Sequence, residues 1–166
     1  MTTFDFGYGP VPAHLHPHGG GWVADTAHVD DSAYVGPNAR VSGNALVSGD
    51  ARVFGDAWVS GDARVSGDAL VYGNAWVYGD ARVSGDARVS GDAKLAKSSD
   101  YLLIGPIGSR VAFMTWTRSD NCIATVCFRG TVKEFLAAVR ETHGDNEHTQ
   151  AYRAAVKFIR AMEKLT

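Results

Sequence analysis

The chain lacks most of the features that announce a partner or a compartment. Its 16 Lys and Arg stand against 18 Asp and Glu, a formal net charge of −2, so no basic footprint marks it for a nucleic-acid polymer. No apolar run approaches the roughly 20 residues needed to cross a bilayer, and the N-terminus has no signal-peptide core. These absences lead us to expect a soluble, cytoplasmic protein with no membrane partner. Cysteine is scarce, with Cys122 and Cys127 the only two. Five apart in one expected strand, they would face opposite sides, so they read as reduced thiols rather than a disulfide. No histidine falls between His28 and His143. The chain also lacks a P-loop, a G-x-S-x-G elbow and any Cys-His pair of obvious geometry.

What is present is a repeat. From Val35 to Leu95, Val, Gly, Asp or Asn, and Ala recur every six residues, as in Val47-Ser48-Gly49-Asp50-Ala51-Arg52. Such periodicity dictates the architecture before any single element is assigned. Within A-x-V-S the side chains alternate, so Ala and Val face one side while x and Ser face the other. The following Gly-Asp or Gly-Asn is turn chemistry, since glycine tolerates positive φ and the Asx side chain bonds back to the main chain. Each hexad is therefore a short strand plus a corner. Counted from Val23 to Leu95, the inner aliphatic position recurs thirteen times; three hexads to a turn give about four coils.

This pattern resembles the hexapeptide-repeat left-handed β-helix, and Val35-Gly36-Pro37-Asn38-Ala39-Arg40 fills every slot of its motif. The resemblance implies a left-handed three-sided prism. It leaves function open, because the family includes acyltransferases, γ-class carbonic anhydrases and non-enzymatic scaffolds. Stacking residue n on residue n+18 sorts the outward positions into three faces. The first carries Trp22, Arg40, Trp58, Trp76 and Lys94, with Tyr78 beside them; the second carries Tyr34, Arg52, Leu70 and Arg88, flanked by Phe54 and Tyr72; the third carries His28, Leu46, Arg64 and Arg82. Trp58 over Trp76 and Phe54 over Tyr72 make apolar rows about 4.8 Å apart. Self-association through these faces, as a homotrimer like those of the resembling family, is the expected partnership.

Residues 1–22 are rich in Gly, Pro and aromatics and show no period, so an irregular cap over the first coil is expected, ahead of the repeat at 23–97. His14, His16 and His18 alternate within it, but without Cys or carboxylates at ligand spacing they read as cap residues rather than a metal site. Asp50, Asp68 and Asp86 share one column; in the absence of the nine-residue calcium repeat they read as corner chemistry.

After Leu95 the composition changes. Residues 101–105, 110–117 and 122–129 read as three strands. Thr131 and Glu134 have capping-box spacing for a first helix ending at His143-Gly144. Asp145 then caps a second helix with Tyr152, Val156, Ile159 and Met162 at helical spacing. The fold class expected is thus mainly β, a left-handed parallel β-helix followed by a βββαα module over 98–166.

This half, with I-G-P-I-G-S-R, C-F-R-G-T and T-H-G-D-N, and the N-terminal G-P-V-P-A-H, is similar to a group of uncharacterised hexapeptide-repeat proteins found mainly in bacteriophages and their bacterial hosts. Hexapeptide acyltransferases use a histidine base beside a loop that interrupts the coils, and a γ-carbonic anhydrase needs three histidines on zinc. Neither is in place between Val35 and Leu95, so no catalytic residue, cofactor or metal is assigned. A binding module is the stronger expectation. The Gly105–Arg110 turn offers N–H groups, the Ser109 hydroxyl and the Arg110 guanidinium to an anion. Arg118 and Arg129 would add charge, while Trp116 and Tyr101 would stack on a ring. A trimer sequestering a small nucleotide-like anion, in a host cytoplasm and as a counter to defence if phage-encoded, is the leading functional reading. The alternatives are an attachment protein of a phage particle that binds glycan or protein, and an acyltransferase-like enzyme.

Overall fold

Ala and Val alternate with outward side chains at every hexad, and in a parallel stack each inner pair must land on the pair one coil away. A computed structural model describes residues 2–164 and shows this arrangement. The chain divides into two units, residues 1–100 and 101–166.

In the first unit, β1 (Thr3–Asp5), β2 (Pro10–Leu15) and β3 (Trp22–Ala24) precede twelve two-residue strands, β4 (His28–Val29) through β15 (Lys94–Leu95). The repeat strands form three parallel rows: β3, β6 (Arg40–Val41), β9 (Trp58–Val59), β12 (Trp76–Val77) and β15; β4, β7 (Leu46–Val47), β10 (Arg64–Val65) and β13 (Arg82–Val83); and β5 (Tyr34–Val35), β8 (Arg52–Val53), β11 (Leu70–Val71) and β14 (Arg88–Val89). Register places Trp22, Arg40, Trp58, Trp76 and Lys94 in one line, as eighteen-residue stacking requires. The other two rows align Tyr34, Arg52, Leu70 and Arg88, and His28, Leu46, Arg64 and Arg82. The hexapeptide reading of this region, about four coils of parallel β-structure, is what the structure contains. Inside, every hexad Ala from Ala33 to Ala93 and every Val from Val35 to Val89 is at most 1% exposed. On the first coil, Ala27 and Val29 are half-buried.

Corners explain the glycine column. Gly43 has φ of +67°, and a Cβ there would sit 2.8 Å from the backbone nitrogen of Gly61 one coil on. Conformation and stacking distance both exclude a side chain. Some of the neighbouring Asx residues bond along the column, with Asn44 Nδ2 donating to Asp62 Oδ1 at 3.2 Å and Asn74 Nδ2 to Asp92 Oδ1 at 3.0 Å.

The outward aromatics form ladders. Trp58 and Trp76 stack at 5.1 Å and 7°, and each indole N–H donates to a serine one coil back, Ser42 or Ser60, at 3.0 and 2.9 Å. Phe54 and Tyr72 stack at 5.1 Å and 4°. The rings thus cover one another's faces and are half-buried within a single chain.

Where the sequence suggests an irregular cap, the N-terminus is regular: β1 and β2 form an antiparallel hairpin that continues onto β3. Pro10 and Pro12 disguise the strand in the sequence. Phe6 and Ala13 are buried with Ala24, and Phe4, Val11, Trp22 and Trp58 pack around them, so the hairpin covers the first coil with an apolar surface of its own. The three cap histidines take separate or main-chain partners. His14 Nδ1 donates to Asp25 Oδ1 at 2.8 Å, while His16 and His18 both donate to the Ala33 carbonyl, at 3.0 and 3.1 Å.

The second unit is a four-stranded antiparallel sheet with two helices. Its strands are β16 (Tyr101–Ile107), β17 (Ala112–Thr117), β18 (Cys122–Ala124) and β19 (Arg129–Thr131), hydrogen-bonded in that order. The single strand expected over 122–129 is in fact two. Thr125 breaks it, donating its N–H to the Phe128 carbonyl at 2.8 Å while its hydroxyl accepts the Phe128 N–H at 3.1 Å, a side-chain-closed turn. Cys122 and Cys127 therefore lie in a strand and a loop, and both are free.

Helix α1 (Val132–His143) starts with the expected capping box, Thr131 Oγ1 accepting from the Glu134 N–H and Glu134 accepting from the Thr131 N–H. Those bonds to the carboxylate hold the Glu134 pKa below its ordinary value. Helix α2 (Glu147–Glu163) is capped by Asn146 rather than Asp145: Asn146 Oδ1 accepts from the N–H groups of His148 and Thr149, and Asp145 pairs with Arg153 at 3.3 Å. Met114, Trp116 and Ile123 of the sheet are buried together with Val132, Phe135, Val139, Val156 and Ile159 of the helices. Among the described residues, no helix is long and apolar enough to cross a membrane.

The substitution Gly43→Ala is expected to lower unfolding stability by roughly 1–3 kcal/mol, whereas Arg64→Ala, on an exposed outward position, stays within about 0.5 kcal/mol. Denaturant titrations of both variants check this; equal stabilities would mean that the corner column tolerates a side chain.

Candidate functional site

The turn between β16 and β17 is held by what Gly108 lacks. Its φ is +73°, and a Cβ on it would lie 1.9 Å from the Tyr152 hydroxyl of α2. The turn can therefore rest on that hydroxyl, which brings Ser109 and Arg110 to the edge of a cavity of about 430 Å³. The Val111 N–H donates to the Gly108 carbonyl at 3.2 Å and closes the turn.

The opposite walls come from both helices and from the β18–β19 loop. Phe135, Val139 and His143 recur at helical spacing on α1 and face the cavity with Thr142. Thr125, Cys127 and Phe128 enter from the loop that the Thr125 turn creates. Aromatic contacts fix the floor: Phe135 meets Tyr152 edge-on at 5.2 Å and Phe128 at 5.4 Å, and His143 stacks near Tyr152 at 6.2 Å and 28°. The site thus combines an apolar floor with hydroxyls, a thiol, an imidazole and a guanidinium around it, the composition of a small-molecule pocket.

Its electrostatics centre on Tyr152. Burial raises the phenol pKa above its usual 10.0, negative charge on Cys127 raises it further, and the Arg110 guanidinium opposes both. The phenol is therefore neutral at physiological pH and can donate a hydrogen bond. Cys122, outside the cavity, is held as a thiol by burial and then by the nearby Asp120 carboxylate. Arg110 is exposed and, among the described residues, makes no ion pair.

Of the six residues that the sequence suggests for ligand binding, the structure brings only Ser109 and Arg110 to this cavity. Trp116 is fully buried, its indole N–H donating to Asn121 Oδ1 at 2.9 Å, so its ring serves the core and not a ligand. Arg118 lies over that ring at 5.4 Å. Arg129 pairs with Asp120 at 3.2 Å, and Tyr101 is half-buried, opposite Thr117 in the sheet. The reason is topological: Arg110 precedes β17 and Arg118 follows it, which places them at opposite ends of a six-residue strand. The residues missed, Cys127, His143 and Tyr152 above all, sit on segments read only as core or as helix ends. The Phe135-Val139-His143 spacing was the signal that could have found one wall.

Among the described residues, no three metal-ligating side chains converge. Comparison with known families finds the YdcK β-solenoid repeat, which matches residues 39–50, 47–61, 63–79 and 81–93. All four matches lie within the stacked coils, and with the geometry above they define the class: a repeat β-solenoid protein of about four coils. Searches of curated proteins and of solved structures return no match.

Because Arg110 favours the phenolate, Arg110→Ala is expected to move the Tyr152 titration to still higher pH. Absorbance at 295 nm, read against a Tyr152→Phe blank, measures this; a downward or null change would mean that the guanidinium does not reach the phenol.

Proposed function

We propose that this protein is a non-catalytic solenoid scaffold whose C-terminal unit captures a small anionic, ring-bearing ligand of the nucleotide type. The carrying observation is the cavity that sets Ser109 and Arg110 against the aromatic floor of Tyr152, Phe135 and Phe128. A guanidinium and a neutral phenol bind phosphate oxygens, and the half-buried Tyr152 and Phe128 rings accept a base by stacking. In a phage-infected cell, such capture would withdraw a signalling nucleotide from its receptor.

Calorimetry with 3′,5′-cyclic AMP, cyclic di-AMP and cyclic tri-AMP at pH 7.5 tests the reading. Heat of binding is expected with at least one, weakened on the order of tenfold or more by Arg110→Ala, as for loss of a charged hydrogen bond. No heat with any, or equal heat with the variant, overturns it.

The scaffold itself is proposed to be a homotrimer. The rows of half-buried Trp58, Trp76, Tyr78, Phe54 and Tyr72 support this, since their outer edges gain by being covered. Light scattering at micromolar concentration is expected to give three times the chain mass of 17.7 kDa; a monomeric mass ends this part of the proposal.

A further inference from the structure

We infer that His143 is the second anion-recognition group of this cavity, and that anion capture there is coupled to uptake of a proton by its imidazole. The inference rests on the ligand-binding reading above and adds to it a residue and a pH dependence.

His143 occupies the last turn of α1 and lines the cavity beside Thr142. It lies near the face of Tyr152, whose hydroxyl end carries the Gly108 turn, so His143 and Arg110 flank one phenol. The titratable and charged groups around it come from every neighbouring element. Arg140 shares the last turn of α1. From α2 come Tyr152 and His148, whose ring meets His143 edge-on at 5.5 Å and 65°. The β16–β17 turn adds Arg110, and the β18–β19 loop adds Cys127.

No carboxylate lines the cavity among the described residues. The acids on the flanking segments are exposed: Glu141 of α1, Asp145, which pairs with Arg153 at 3.3 Å, and Glu147, which pairs with His148 at 3.9 Å. Within the cavity, among the described residues, a ligand anion is therefore the charge partner available to a protonated His143 and to Arg110. An anion in the cavity stabilises the imidazolium, and by reciprocity the imidazolium strengthens anion binding. Imidazole is the side chain whose charge ordinarily changes between pH 5 and 8, so the coupling falls in a range a cell can reach.

The cyclic nucleotides named above suit the test, because their phosphodiesters keep the same charge between pH 5.5 and 7.5. Binding to the unaltered protein is expected to tighten about tenfold from pH 7.5 to 5.5. Calorimetry in two buffers of different ionisation enthalpy should show up to one proton taken up per ligand. His143→Gln is expected to bind equally at both pH values, and His148→Gln to keep most of the dependence. The proton count on the unaltered protein keeps the inference testable if either variant folds poorly. Binding that is the same at both pH values, or a dependence lost in His148→Gln but kept in His143→Gln, overturns the role of His143 and leaves the capture reading standing. Failure of every cyclic nucleotide to bind at either pH overturns both.

Discussion

Backbone hydrogen bonding between successive coils is the constraint on which the first unit depends. With strands only two residues long, a coil cannot satisfy its main chain by itself; Arg40 N–H reaches the Ala57 carbonyl at 3.0 Å and Ser42 N–H the Val59 carbonyl at 2.9 Å. A buried backbone group without a partner costs about as much as a lost hydrogen bond, so the coils stack in one register. From that register follow the alanine and valine interior, the glycine column that lets corners approach within a Cβ's reach, and the tryptophan ladder outside. An insertion within a hexad would break all three together.

The ends of such a stack need another solution, because the repeat ends there. At the N-terminal end the chain changes from parallel to antiparallel pairing, and the β1–β2 hairpin adds Phe6 and its neighbours as a second small core. Two imidazoles on the Ala33 carbonyl satisfy an acceptor at that end that no further coil can reach. Histidines that invite a metal reading are thus part of the termination of the solenoid.

The second unit shows how a recognition cavity arises from packing constraints. Tyr152 is placed by helical spacing and by its contacts with Phe135 and His143. Gly108 then allows the hairpin turn to meet its hydroxyl, which delivers Ser109 and Arg110 to the same space. The Thr125 turn matters as much, because it ends β18 early and frees the loop that carries Cys127 and Phe128. The cavity belongs to no single segment, which is why a reading of the Gly105–Arg110 turn alone found only two of its residues.

Period and alternation by themselves determined the solenoid. A six-residue repeat leaves the same side chains on the same face at every turn, so the interior, the corners and the columns Trp22-Arg40-Trp58-Trp76-Lys94 could be written down before any coordinates. Local capping chemistry likewise determined the start and end of α1. Only the tertiary structure decided that residues 122–129 make two strands, that Trp116 belongs to the core while Arg118 and Arg129 stay away from Arg110, and that His143 and Tyr152 join Arg110 around one cavity. The reason is physical: stacking of identical coils repeats a local rule, whereas a pocket forms where segments distant in the chain meet, and their meeting is governed by packing rather than by spacing along the sequence.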